Sequence, residues 1–380
     1  MTTSIGVVRE SGGERRVALT PDGAGRLQKL GLTVLVEAGA GEAAWFDDAD
    51  YVAAGAAISN REHVYADSDV ILSVRPSADA VSARAGTTVV GLLGLLADPG
   101  LAEKLAAAGV TAVSVDLLPR TLSRAQGMDA LTSQANVAGY KAVLVAAGAY
   151  GGYLPMLMTA AGTTRPAQVL VLGAGVAGLQ AIATARRLGA MVTGYDVREA
   201  AQADISSTGA AVLDLGAAAG TGDGGYARQL TSDEAQAQQR ALDEAIGRFD
   251  IVITTAQVPG RKPPLLVTTD ALDRLHPGVV VVDLAASDLG GNVAGSHPET
   301  STVTDRGVTV IGAGNLPSSV PEAASTAYAR NLCALLPVLL ADGAIRVDLA
   351  DEIQAGVVVT HDGTIVHPQV RAALTKEVRS

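Results

Sequence analysis

Cysteine is almost missing from this chain: Cys333 is the only one in 380 residues. That excludes a disulfide framework and a cysteine-rich metal site, and it fits a reduced, cytoplasmic setting. Large aromatics are scarce too, with two Phe and one Trp, so Ala, Val and Leu must fill the core. Together with 43 glycines this suits α/β layers in which helices lie close on strands. A basic excess is also lacking. The formal charge is −11, spread without acidic tracts, which argues against nucleic acid or an anionic membrane surface as direct partner. The N-terminal MTTSIGVVRESGGERR has no signal-peptide pattern. Ala142–Thr164 carries no charge and has the length of a bilayer span, but Gly148, Gly151, Gly152 and Pro155 interrupt it. It reads as a buried helix followed by a break. The apolar run Leu332–Leu340 is too short to span and is cut by Pro337. No direct membrane span is expected.

What is present is alternation. Val/Ile-rich runs at Ile5–Val8, Thr33–Glu37, Val70–Val74, Thr88–Leu92 and Thr111–Val115 are separated by helical patterns such as Asp22–Leu30 and Leu101–Ala108. A second series follows at Gln168–Leu172, Met191–Tyr195, Asp250–Thr255, Val279–Asp283 and Val308–Ile311. This is the pattern of βαβ units on mainly parallel sheets. The fold class expected is α/β, with two Rossmann-like doubly wound domains linked by long helices and a nucleotide in the cleft. Those helices are Asp129–Ala147 and Pro321–Leu340. Residues 1–128 with 341–380 form the first domain, and 129–340 the second. In the returning segment, Asp362-Gly363 lies between β-rich arms and signals a hairpin.

The most specific motif is QVLVLGAGVAGLQAIATARRLGAMVTGYDVR. A buried-strand run leads into Gly173, Gly175 and Gly178, spaced G-x-G-x-x-G, and then into a helix. The glycines permit a tight turn, close backbone approach to a pyrophosphate, and close helix–strand packing. The helix N-terminus offers amide donors and a positive dipole end. Asp196 ends the next strand, where a carboxylate can accept both adenosine ribose hydroxyls. It favours NAD over NADP, because a 2′-phosphate would be repelled. Arg198 lies close enough to blunt that argument, although a solvated surface position also accounts for it. The first half has no such fingerprint. In its GGERRVALTP loop, an arginine could face a substrate carboxylate, a phosphate or solvent.

A polar string, RAQGMDA at 124–130, stands out in this apolar chain. The surrounding LPRTLSRAQGMDALTSQANVAGYKAV resembles the NAD(H)-binding domain of proton-translocating NAD(P) transhydrogenase, within the superfamily that includes alanine dehydrogenase. The resemblance continues through PMLMTAAGT, the fingerprint, DIVITTAQVPGRKPP, VVVDLAAS, GGNV, NLPSSV and VTHDGTIVHP, covering essentially the whole chain. It implies that Gln126, Asp129 and an arginine surround the nicotinamide end of the dinucleotide. Arg120 follows Pro119 as the family pattern has it, but lies six residues before Gln126 instead of five. Arg124 therefore stays open as the alternative. A tyrosine on a mobile, glycine-flanked loop corresponds to Tyr226, with Arg120, Gln126 and Asp129 completing the catalytic set. The nucleotide contacts expected are Gly173, Gly175, Val176, Ala177, Gly178, Asp196, Val197, Arg198, Thr132 and Ala256, and no metal is expected. In DLAASDLGGN the chain holds one residue more than the family pattern, Leu289.

Direct hydride transfer between two nicotinamides needs their C4 atoms at roughly 3–3.5 Å and no general acid or base. Alanine dehydrogenases use a Lys and a His of their first domain to handle protons, yet residues 69–99 here contain neither. The resemblance thus implies NAD(H) as cofactor and NADP(H) as co-substrate on an NADP-binding partner subunit. It also implies a separate membrane proton-channel subunit, a homodimer, and a peripheral place on the cytoplasmic face of the membrane. The alternatives are an alanine dehydrogenase-like amino-acid dehydrogenase and a non-enzymatic NAD-binding scaffold.

Overall fold

The computed structural model of the chain describes residues 2–215, 231–257 and 262–377. They form two compact units, Met1–Gln134 with Pro317–Ser380, and Ala135–Leu316.

The first unit holds an eight-stranded sheet. Six strands are parallel: Ala57–Ser59, Thr33–Glu37, Ser4–Val7, Val70–Leu72, Thr88–Gly91 and Thr111–Ser114, in that spatial order. Val358–His361 and Thr364–Ile365 add an antiparallel edge. Their hairpin turns at Asp362 and Gly363, both at positive φ, as an Asp-Gly pair between strands requires. Burial on both faces explains the continuous apolar runs. Val70 and Leu72 enter one core, while Ile71 between them enters the other.

Ala135–Leu316 carries a seven-stranded sheet. Its central strands, Met191–Tyr195, Gln168–Leu172, Ile251–Thr254 and Val280–Asp283, are parallel neighbours. Alternation recurs there, with Val169 and Val171 on one face and Leu170 and Leu172 on the other. Both parallel series therefore lie where the sequence pattern sets them.

The expected helix and break are present, and one departure has a physical cause. The charge-free stretch 142–164 is helical only to Ala149, in the helix Ala130–Ala149. It then turns into a two-stranded hairpin, Leu157–Thr159 with Gly162–Thr164, that leaves Met156 and Met158 exposed. Apolarity alone does not distinguish a buried helix from an exposed ribbon. No helix of the described residues is long and apolar enough to cross a membrane. The departure concerns Pro321–Leu339, assigned from sequence to the second domain. This helix packs Tyr328, Leu332, Leu335, Leu336 and Leu339 into the first unit's core. An amphipathic pattern marks a face to be buried without naming the sheet that receives it.

Candidate functional site

In the second unit the strand Gln168–Leu172 leads into Gly173, whose φ of 102° is a left-handed turn conformation. Gly175 then caps the helix Val176–Arg187 without a side-chain hydrogen bond. The first bond of that helix runs from Leu179 N–H to the Gly175 carbonyl at 2.9 Å. Hence the amides of Val176, Ala177 and Gly178 have no intrahelical acceptor and form a donor set at the positive end of a helix. A Cβ on Gly178 would lie 1.8 Å from the Gly173 carbonyl oxygen, so only glycine lets helix and turn approach this closely.

Asp196 ends Met191–Tyr195 and is 7% exposed. It accepts the Ala174 N–H at 2.8 Å, which ties it to the fingerprint turn. Burial pushes its carboxyl up, but Arg198 and the backbone amides outweigh this and hold it below the ordinary carboxylate range. Arg198 is not a solvated surface residue. Its guanidinium grips the carboxylate through Nε and Nη2, each at 2.9 Å. Val197 between them is half-buried against the neighbouring core.

The opposite rim of the turn is set by Ala256, expected as a nucleotide contact, and by Asn292 and Asp283, which were not among the expected site residues. Ala256 follows Ile251–Thr254, and fully buried Asn292 holds its peptide from both sides. Asn292 Oδ1 accepts the Ala256 N–H at 3.0 Å, while Nδ2 donates to the carbonyls of Ala256 at 2.9 Å and Pro264 at 2.7 Å. Fully buried Asp283 accepts the N–H groups of Ala285 at 2.9 Å and Val293 at 3.1 Å, holding the chain on both sides of the intervening turn. The GGNV string was visible in the sequence, but its use as a backbone clamp was not. In that turn Ser287 and Gly290 exchange backbone bonds at 2.9 Å, and Leu289 lies exposed at the tip. Leu289 thus makes no part of the clamp.

In the first unit, Asp129 begins the helix Ala130–Ala149 and accepts the Thr132 N–H at 2.8 Å, an N-cap bond. Its other oxygen accepts the Thr132 hydroxyl at 2.6 Å and Arg120 Nε at 2.9 Å. Arg120 Nη2 also reaches the Thr132 hydroxyl at 2.7 Å. Burial pushes the Asp129 carboxyl up, but Thr132 and Arg120 prevail and lower it. Arg124 points elsewhere, pairing with Asp351 at 2.7 Å. Gln126 is exposed on the short helix Ser123–Met128. The structure therefore gathers Arg120, Asp129 and Thr132 into one polar cluster and leaves Arg124 out of it. Tyr226 lies outside the described residues.

The two arginines of the loop GGERRVALTP part ways: Arg15 faces solvent, one of the readings its sequence allowed, and Arg16 does not. Arg16 is buried, donating to Glu14 through Nε at 2.9 Å and Nη2 at 2.7 Å, and to Gln134 at 2.7 Å. Arg15 is exposed over Trp45. Nearby, Glu10 joins the carboxyl ends of Ser4–Val7 and Val70–Leu72 by accepting the N–H groups of Val74 and Arg75 at 2.6 and 3.2 Å. It lines a cavity of about 220 Å³ with Arg9, Arg61 and Arg75. Burial raises its carboxyl from 4.5 to about 7 against those two amides. The neutral form is favoured on folding, so its contribution is fully present below about pH 4.5 and is lost as pH rises through 7. Glu10→Gln should therefore raise the melting temperature relative to the unsubstituted chain at about pH 8, and the advantage should vanish near pH 4.5. Thermal unfolding at the two pH values checks this.

Two parallel α/β sheets, one ending in a glycine turn, an unshared set of helix amides and a buried acceptor, define a two-unit nucleotide-binding protein of the Rossmann class. The family description "Alanine dehydrogenase/PNT, N-terminal domain" matches residues 6–138, and "Alanine dehydrogenase/PNT, C-terminal domain" matches 142–368. The chain belongs to this family. It is 42% identical to an NAD(P) transhydrogenase alpha-subunit chain of Rickettsia prowazekii, over 94% of either chain. A solved transhydrogenase structure from Sinorhizobium meliloti superposes with a TM-score of 0.85 at 40% identity, covering 96% of this chain and all of that one. The alanine dehydrogenase of Mycobacterium tuberculosis is 32% identical, over 97% of this chain and 96% of its own. These likenesses support a transhydrogenase role and the binding of a nicotinamide nucleotide.

Proposed function

We propose that this chain is the NAD(H)-binding component of a proton-translocating transhydrogenase, passing hydride from NADH to NADP held by a partner subunit. The observation that carries the reading is the identity margin, 42% to a transhydrogenase subunit against 32% to an alanine dehydrogenase, along nearly the full chain. The missing Lys and His in residues 69–99 point the same way, since hydride exchange between nicotinamides moves no substrate proton. The fingerprint amides of Val176, Ala177 and Gly178 would hold the pyrophosphate, and Asp196 the adenosine ribose. Gln126, Asp129 with Thr132, and Arg120 would orient the nicotinamide ring. The nucleotide supplies the hydride. The protein's share is orientation and charge, which suits amide and ionic groups. The NADP-binding domain and the membrane proton channel then lie outside the residues of this sequence. This chain is a homodimer, peripheral on the cytoplasmic face.

Mixing the protein with NADH, a purified NADP-binding partner domain and an oxidised nicotinamide analogue tests the reading. Hydride transfer that depends on the partner is expected. Alanine-dependent NAD reduction by this chain alone would establish the dehydrogenase instead. Within that assay Gln126→Ala should slow transfer while NADH affinity stays within a few-fold, whereas Asp196→Ala should chiefly weaken NADH binding. Unfolding of the Gln126 variant would mark the loop as structural.

A further inference from the structure

Within the second unit, the helix Ala130–Ala149 crosses the first turn of Val176–Arg187 at Gly139. A Cβ on Gly139 would lie 2.1 Å from the Ala177 carbonyl oxygen, 2.8 Å from its carbonyl carbon and 3.0 Å from its Cα. All three are backbone atoms, so no side chain can move to make room. Further along, Ala142 and Ala146 share one core with Ala181 and Ala185, small residues that let the two helices stay close. One turn before the crossing, Asn136 Nδ2 donates to Gln180 Oε1 at 3.1 Å and fixes the register of one helix on the other. The peptide that meets Gly139 joins Ala177 to Gly178. It is trans, so its carbonyl and its N–H point opposite ways. The carbonyl faces Gly139, while the Gly178 N–H belongs to the donor set that has no intrahelical acceptor. On the turn side the same residue abuts the Gly173 carbonyl oxygen, where a Cβ would lie at 1.8 Å. The donor peptide is therefore held between two backbone surfaces, and each approach requires a glycine.

We propose that Gly139, with the Asn136–Gln180 bond beside it, is a positioning element for dinucleotide binding. Its backbone sets the tilt of the Ala177–Gly178 peptide and so aims the Gly178 N–H at the pyrophosphate. The inference rests on the dinucleotide reading above. Neither Gly139 nor Asn136 touches the nucleotide; both act through the peptide they hold. A methyl group behind the carbonyl must push that peptide or lift the whole helix. Either movement turns the N–H away from its acceptor, and a hydrogen bond weakens steeply as it leaves line. Burial alone would not ask for glycine at this position, since alanine fills the neighbouring positions Ala142 and Ala146.

NADH titration of the full chain, with phosphorus NMR spectra of the bound nucleotide, tests this on Gly139→Ala and Asn136→Ala. Folded Gly139→Ala should bind NADH about tenfold more weakly or worse, the scale of one lost hydrogen bond to a charged group. The pyrophosphate resonances of bound NADH should move toward those of the free nucleotide. A glycine needed only for packing would lower the melting temperature and leave those resonances in place. Unmoved resonances would overturn the proposal, whatever the affinity. If Gly139→Ala does not fold, as circular dichroism would show, Asn136→Ala decides, because Asn136 is exposed and its truncation adds no atom to the crossing. That variant should weaken NADH by about threefold and move the same resonances in the same direction. Resonances unmoved in it would then overturn the proposal. Failure of the underlying reading looks different: the unsubstituted chain would not bind NADH, which removes the inference with it.

Discussion

Gly178→Ala should cost on the order of 3 kcal/mol and abolish tight dinucleotide binding. The added methyl would lie 1.8 Å from the Gly173 carbonyl oxygen and 2.8 Å from its carbonyl carbon. Both are backbone atoms, so no rotamer change relieves the contact, and the helix Val176–Arg187 must move off the turn. That movement displaces the amides of Val176 and Ala177 from the fingerprint turn and from Asp196, which is bonded to Ala174. The melting temperature should fall by about 6–12 °C for a unit of this size. NADH titration of the folded fraction should show the larger loss. A variant with unaltered melting temperature and NADH affinity would mean that turn and helix are not packed as described.

The second large effect is expected at Arg16. Breaking a buried ion pair by removing one partner costs about 3–5 kcal/mol, because the remaining charge is stranded. Arg16→Met would leave Glu14 buried, with Arg75 at 3.2 Å as its remaining arginine partner in an ion pair. The effect carries a pH signature. Burial pushes the Glu14 carboxyl up, but Arg16 prevails and lowers it from 4.5 to about 2. A depressed folded value gives stability that is present above 4.5 and lost as pH falls through about 2. Destabilisation by Arg16→Met should therefore be full near neutrality and shrink as pH falls below 4.5. Denaturant unfolding at several pH values measures it. The double variant Glu14→Leu/Arg16→Met should recover much of the loss, since an apolar pair strands no charge.

Legibility from sequence followed the range of the interactions. The strands Val70–Leu72 and Gln168–Leu172 announce themselves because both faces are buried and every residue after Gln168 in the second, and all of the first, is apolar. The fingerprint and Asp196 were visible because turn, helix start and strand end are local events. The short strands Ala57–Ser59, Ala211–Val212 and Ser301–Val303 were missed, since two or three residues carry no period. The destination of Pro321–Leu339 was hidden because a helix face does not name its partner sheet.

Side-chain pairing was the least legible level. Spacing left Arg120 and Arg124 as rivals. The structure separates them through Asp129 and Asp351, and Asp351 lies 227 residues from Arg124. Arg198 looked like a surface residue because nothing in the string DVR says that its guanidinium folds back onto a carboxylate two residues earlier. Asn292 stood in the visible GGNV string, but the string does not say what its side chain holds. Its importance comes from the peptide of Ala256, 36 residues away, that it holds from both sides.

The most direct test of the transhydrogenase reading follows the hydrogen itself. NADH carrying deuterium at both C4 positions is mixed with this chain, the NADP-binding partner and NADP. Direct transfer between nicotinamides predicts one deuterium in each NADPH formed, none lost to water, and no reaction without the partner. NADPH that forms without the label, or label that appears in solvent, would contradict it.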